Sequence, residues 1–120
     1  MRVVWVGVAG AAGAISRYLI GLAFGVQRFP WATLSINISG SFVLALIITV
    51  ATERRWSADV STAITVGFLG AYTTFSTFAY ESFVLGRTDR AGTATAYVFA
   101  SIGFGLAAAW CGYLVGRALR

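Results

Sequence analysis

Four apolar runs alternate with short polar gaps along the chain. They cover about residues 3–24, 32–51, 61–85 and 93–115. Each is close to the ~20 residues that carry a helix across a bilayer. The pattern therefore predicts an all-α membrane protein, with four transmembrane helices in one domain over residues 1–120. The gaps, at 25–31, 52–60 and 86–92, leave no room for a soluble domain, and they hold the only proline, Pro30, and five of the nine arginines. Arg2 and the small residues 9–14 give the first run some marks of a secretory leader. Its apolar stretch is longer than a leader's core and three more runs follow, so a retained span is expected.

Composition agrees with that pattern. Hydrophobic residues make up 58% of the chain and charged residues 11%, against about 25% charged in soluble domains. The net charge of +5 comes entirely from arginine on the basic side. Nucleic-acid binding would need a basic stripe on a solvated face. Here the arginines cluster between apolar runs, where lipid headgroups take them, so no nucleic-acid partner is expected. With four spans, Arg2, Arg54, Arg55, Arg117 and Arg120 fall on one side. Arg28, Arg87 and Arg90 fall on the other, joined by Arg17 if it snorkels. So small a bias is compatible with one orientation or with insertion both ways up.

The chain has no His and four acids, which removes the usual residues of acid–base and metal-site chemistry. No nucleophile–base pair is visible, so an enzyme is not expected. Cys111 is the only cysteine and is expected to be a packed thiol. Small residues four apart, at Gly7/Ala11, Gly10/Ala14, Gly21/Gly25 and Gly112/Gly116, let helices approach closely in lipid. They predict a tight bundle and an oligomer.

Polar groups inside a bilayer are costly unless paired or wet, and so mark candidate sites. Thr33, Asn37 and Ser41 share one face of the second run. They serve either as helix–helix glue or as part of a pathway. The third run carries Gly67 and Gly70, then Thr73-Thr74-Phe75-Ser76-Thr77-Phe78. Hydroxyls that bond back to carbonyls bend helices, and glycine weakens them. A kink or unwound turn is predicted here, with freed carbonyls able to hold a cation. An intact helix with locally satisfied hydroxyls is the alternative. Phe75 and Phe78 are either apolar packing or ring edges turned to a small anion, because a ring's edge is its positive part. Tyr97, Ser101 and Gly105 form a further polar-to-small face on the fourth run. Glu81 is expected as a lone acid at a pathway mouth or as an arginine's partner, and Arg17 as a snorkelling side chain.

The run Gly67-Phe68-Leu69-Gly70-Ala71-Tyr72-Thr73-Thr74-Phe75-Ser76-Thr77-Phe78 resembles the signature of the Fluc (CrcB) fluoride channels. Thr33-Leu34-Ser35-Ile36-Asn37-Ile38-Ser39-Gly40-Ser41-Phe42 resembles that family's second motif, and Gly13-Ala14-Ile15-Ser16-Arg17-Tyr18 a third. Ala71 departs from the family's frequent glycine but keeps a small residue. The resemblance implies a passive fluoride channel of the microbial inner membrane, built as an antiparallel, dual-topology homodimer whose third helix is broken mid-membrane. By position it implies a fluoride pore of Asn37, Phe75, Phe78, Tyr97 and Ser101, with Arg17 at its mouth; the reading of the residues themselves adds the hydroxyls of Thr33, Ser41 and Thr77 to that pore and Glu81 to its mouth. It implies a structural sodium ion held by the Gly70 and Thr73 carbonyls. The rival readings are a small four-span multidrug exporter, with Glu81 as its proton-exchanging carboxylate, and a non-conducting scaffold.

Overall fold

A computed structural model describes residues 1–88 and 90–119; Asp89 and Arg120, the latter part of the charge tally above, lie outside them. The described chain is helical. Helix α1 (Arg2–Phe24) ends at Gly25, whose φ of 64° is open to glycine at little cost, and whose N–H bonds the Gly21 and Leu22 carbonyls. Helix α2 (Trp31–Glu53) starts behind Pro30, where a missing N–H costs nothing. Helix α3 (Ala58–Thr62) is capped by the Ser57 hydroxyl and runs on through a π-wound segment (Ala63–Leu69) into α4 (Gly70–Tyr72). After Thr73 and Thr74, which are extended, come α5 (Phe75–Arg87) and α6 (Ala91–Ala118). The gaps are shorter than the polarity pattern predicts. Residues such as Trp31, Glu53 and Arg87 stay helical because the helix satisfies their backbone groups whatever their side chains meet.

α1, α2 and α6 are each long and apolar enough to cross a membrane. The segment from α3 to α5 is the fourth element of the bundle. Two parallel pairs organise it. Gly67 packs on Val6 and Ala9, and Gly13 lies against the Phe68 carbonyl, which seats α1 on the π-wound segment. Gly112 lies against the Phe42 carbonyl and Gly116 against Thr49, which seats α6 on α2. The two ends are tied separately: Arg2 to Asp59 at 2.6 Å and Arg54 to the Leu119 carbonyl at 2.7 Å at one, Arg90 to the Arg28 carbonyl at 2.9 Å at the other.

Two expectations need correction. Gly7 and Gly21 have no neighbour within 4 Å of where a Cβ would sit, Ala11 is exposed and Gly25 terminates a helix, so neither the Gly7/Ala11 nor the Gly21/Gly25 pair is a packing seam within the chain. Cys111 is exposed, because the α6 face that packs on α2 is the one carrying Gly112 and Gly116.

Gly112→Ala tests the α2–α6 seam. Its methyl would overlap the Phe42 carbonyl, and overpacking of this kind costs about 2 kcal/mol. Gly103 faces open space, where Ala adds about 1 kcal/mol of helix propensity. The thermal unfolding midpoint in detergent is expected to fall for the first variant and to hold or rise for the second. Equal midpoints would remove the seam from the account.

The chain measures 50 × 30 × 21 Å and exposes 7549 Å². A compact soluble chain of its mass would expose about 6,200 Å². The excess is apolar: Val8, Ile15, Leu22, Phe99, Phe104 and Leu106 all face outward.

Candidate functional site

The break between α4 and α5 is built by identifiable groups. The Thr73 hydroxyl and N–H both donate to the Leu69 carbonyl, at 2.9 and 3.0 Å, closing the preceding turn. Thr74 then swings out, with φ −150° and ψ 110°. Its N–H would normally reach the Gly70 carbonyl. It donates instead to Asn37 Oδ1 at 2.8 Å, and Asn37 Nδ2 donates to the Thr74 carbonyl at 3.1 Å. One amide from α2 thus takes the place of the turn that is missing. The Thr74 hydroxyl caps α5, accepting from the Thr77 N–H at 3.3 Å and donating to Thr77 Oγ1 at 2.9 Å. Ser39 and Tyr72 hydroxyls meet at 2.9 Å on the other side of the break. Gly40 permits the approach, since a Cβ there would overlap the Thr73 methyl.

Beside this clamp lies an open groove of about 310 Å³, bounded by α2, the break, α5 and α6. It brings together Asn37, Ser41, Thr73, Phe75, Phe78 and Ser101. The donors it offers are few and neutral. Asn37 keeps one amide proton beyond the bond to Thr74. The buried Ser101 Oγ has no hydrogen-bond partner. Ser41 is different: its proton goes to the Asn37 carbonyl at 2.7 Å, so it turns lone pairs to the groove. Phe75 is 80% exposed, with its ring centroid 5.9 Å from that of Phe78.

The remaining expected site residues are elsewhere. Tyr97 is fully buried and Thr33 nearly so. Their hydroxyls donate to Glu81, Tyr97 to Oε2 at 2.7 Å and Thr33 to Oε1 at 2.9 Å. Glu81 is therefore neither a lone acid nor an arginine's partner, because two hydroxyls supply its hydrogen bonds and the ion pair among the described residues is Arg2–Asp59. Tyr97 stands under the groove: Phe78 packs on its ring in an edge arrangement at 5.2 Å, and Phe29 does the same at 5.4 Å. The expected polar track is thus divided into an open groove and a half-buried Thr33–Glu81–Tyr97 network, whose Glu81 also lines a separate cavity of about 450 Å³. Thr77 belongs to the α5 cap, outside the groove lining. Arg17 lies on α1 away from the groove and makes no hydrogen bond among the described residues. Thr74, whose backbone Asn37 grips, was not singled out from the sequence. The hydroxyl run around it was the available signal.

Apolar helices long enough to cross a membrane and an apolar exterior define a multi-pass helical membrane protein, with the open groove beside its helix break. The CrcB-like protein family (Camphor Resistance, CrcB) matches residues 4–113, and the chain belongs to it. It is 40% identical to the fluoride-specific ion channel FluC of Acidobacterium capsulatum, over 98% of this chain and 97% of that one. It is 44% identical to fluoride-specific ion channel FluC 2 of Geobacillus kaustophilus, over 96% and 92%. With FluC of Geobacter sulfurreducens it shares 37% identity over 95% of both chains.

Proposed function

We propose that this chain forms a passive, fluoride-selective channel of the microbial inner membrane that relieves fluoride toxicity; the names of its relatives, fluoride-specific ion channels, support the fluoride selectivity. The groove is the observation that carries the reading. It sets the Asn37 amide and the unpartnered Ser101 hydroxyl beside the Phe75 and Phe78 rings, and its lining contains no charged side chain. Fluoride is small and tightly hydrated, so a pore has to replace its water with close donors. A fixed cation there would hold it too long, whereas neutral donors and ring edges allow entry and release. Glu81, bound by two hydroxyls, is poorly placed for the proton exchange of a multidrug exporter.

One chain supplies only part of a pore wall, since the groove is open and Phe75 projects from it. A second copy closes it in this reading. An antiparallel homodimer, with the break of α4–α5 at mid-membrane, accords with the weak arginine bias. Sodium is the proposed structural ion at the dimer centre. The donor set fits a hard cation, which takes oxygen ligands. Gly70 is exposed at the break, and its carbonyl is released because the Thr74 N–H goes to Asn37. The Thr73 carbonyl would complete the proposed set.

Liposomes loaded with fluoride or chloride test the function. Fast fluoride release without chloride release is expected, and equal loss of both, or of neither, would sink the reading. For orientation, Ser57→Cys in a Cys111→Ser background places one thiol in the 54–57 loop. Labelling from both faces of the cell membrane is expected, and labelling from one face alone refutes dual topology. Replacing sodium with choline is expected to lower the thermal unfolding midpoint of the purified protein, and an unchanged midpoint counts against the bound ion.

A further inference from the structure

The end of α2 carries a backbone feature that the proposed channel does not use. Arg55 has a φ of 51°, in the left-handed region. The Arg55 N–H bonds the Thr52 carbonyl and the Trp56 N–H the Ala51 carbonyl. This is the helix terminator in which glycine ordinarily occupies the left-handed position. A residue with a Cβ is strained there, and such strain persists where the side chain serves another purpose.

The side chain is free for one. At this end of the bundle Arg2 is paired with Asp59, Arg54 with the Leu119 carbonyl and Arg117 with the Tyr113 hydroxyl. Arg55 has no side-chain hydrogen bond or ion pair among the described residues. It stands over a groove of about 410 Å³ between the end of α2 and the start of α3. Ile48 and Ala51 line the groove toward the helix interior, and Thr52, Arg55 and Trp56 line it at the helix end. The Ser61 and Thr65 hydroxyls on the facing wall are bonded to their own helix. The free polar groups are thus at one end and the apolar ones at the other. α2 is 23 residues long, about 34 Å, so its end reaches past a hydrocarbon core of about 30 Å into the headgroups.

We infer that this groove is a binding site for an anionic phospholipid. The Arg55 guanidinium takes the phosphate, Trp56 sits at the interface, and the first part of an acyl chain lies along Ile48 and Ala51. A headgroup phosphate is favoured over free phosphate because the apolar half of the groove gives the free anion nothing to bind. The left-handed backbone at Arg55 aims the cation over the groove.

The test uses the purified full-length protein in neutral detergent, titrated with phosphatidylglycerol while the thermal unfolding midpoint is followed. Phosphatidylcholine and inorganic phosphate are the comparison titrants. R55Q removes the charge and keeps the strained backbone. R55G removes both, and is expected to fold at least as well as the parent. Each basic residue near an anionic surface contributes about 1 kcal/mol, a factor of about five in affinity. Both variants are expected to need about five-fold more phosphatidylglycerol for the half-maximal rise, and inorganic phosphate is expected to give none. An unchanged requirement in either variant overturns the proposal, as does an equal rise with inorganic phosphate. A second copy of the chain covering the groove would produce the first of these overturning results.

Discussion

Fluoride efflux is expected to fall about a hundred-fold when Asn37 is replaced by Ala, and the protein is expected to become less stable in the same variant. Both effects follow from the two bonds between the Asn37 amide and the Thr74 backbone, at 2.8 and 3.1 Å. Thr74 is 7% exposed, so water cannot readily replace the lost partner. A buried polar group left unpaired costs about 1–3 kcal/mol, and two such groups make about 2–4 kcal/mol a reasonable loss. The break would then relax, moving Phe75 and Phe78 relative to Ser101. A displacement that adds about 3 kcal/mol to the path of the ion slows it about a hundred-fold. Asn37→Asp separates the two roles. It keeps an acceptor for the Thr74 N–H, so it is expected to be more stable than the Ala variant. It also places a carboxylate beside the groove, so fluoride flux is expected to stay low. Normal efflux from Asn37→Ala would show that the clamp is dispensable.

The second large effect is expected at the phenylalanines. Replacing Phe75 or Phe78 with Ile preserves apolar bulk and removes the ring edge. Phe75 is 80% exposed in the chain, so its replacement costs little intrachain packing. Phe78 gives up an edge contact with Tyr97 at 5.2 Å, worth about 1 kcal/mol. Efflux is nevertheless expected to drop more than ten-fold in each. A loss of flux with an unchanged unfolding midpoint at Phe75 would separate ion contact from packing. Fluoride flux at the parental rate in both variants would reject the ring-edge role.

Some of this was legible in the residues alone. Apolar runs of membrane-crossing length are local facts, and α1, α2 and α6 follow them closely. The hydroxyl run from Thr73 to Thr77 with its preceding glycines is local too, and the helical run is interrupted within it. The choice between glue and pathway for Asn37 was not legible, and the side chain has features of both. It holds the break through two bonds and still presents an amide proton to the groove. Tyr97 shows the limit of reading a helix face by spacing. Tyr97 and Ser101 are four residues apart, yet the first is buried on Glu81 and the second lines the groove. A face four residues long can border two different neighbours.

By itself the sequence determined the helical, membrane-embedded class and the family, and it marked the hydroxyl run within which the helix is interrupted. The class and the hydroxyl run depend on residues within one or two turns of each other, and the family on the order of such local motifs along the chain. Only the tertiary structure decided which side chain replaces the missing turn at Thr74, which hydroxyls are consumed by Glu81, and which arginine at the α2 end has no side-chain partner among the described residues. Each of these depends on a hydrogen bond between elements distant in sequence. A donor or acceptor is available to a ligand only when no such partner has taken it, and spacing along one helix cannot reveal that.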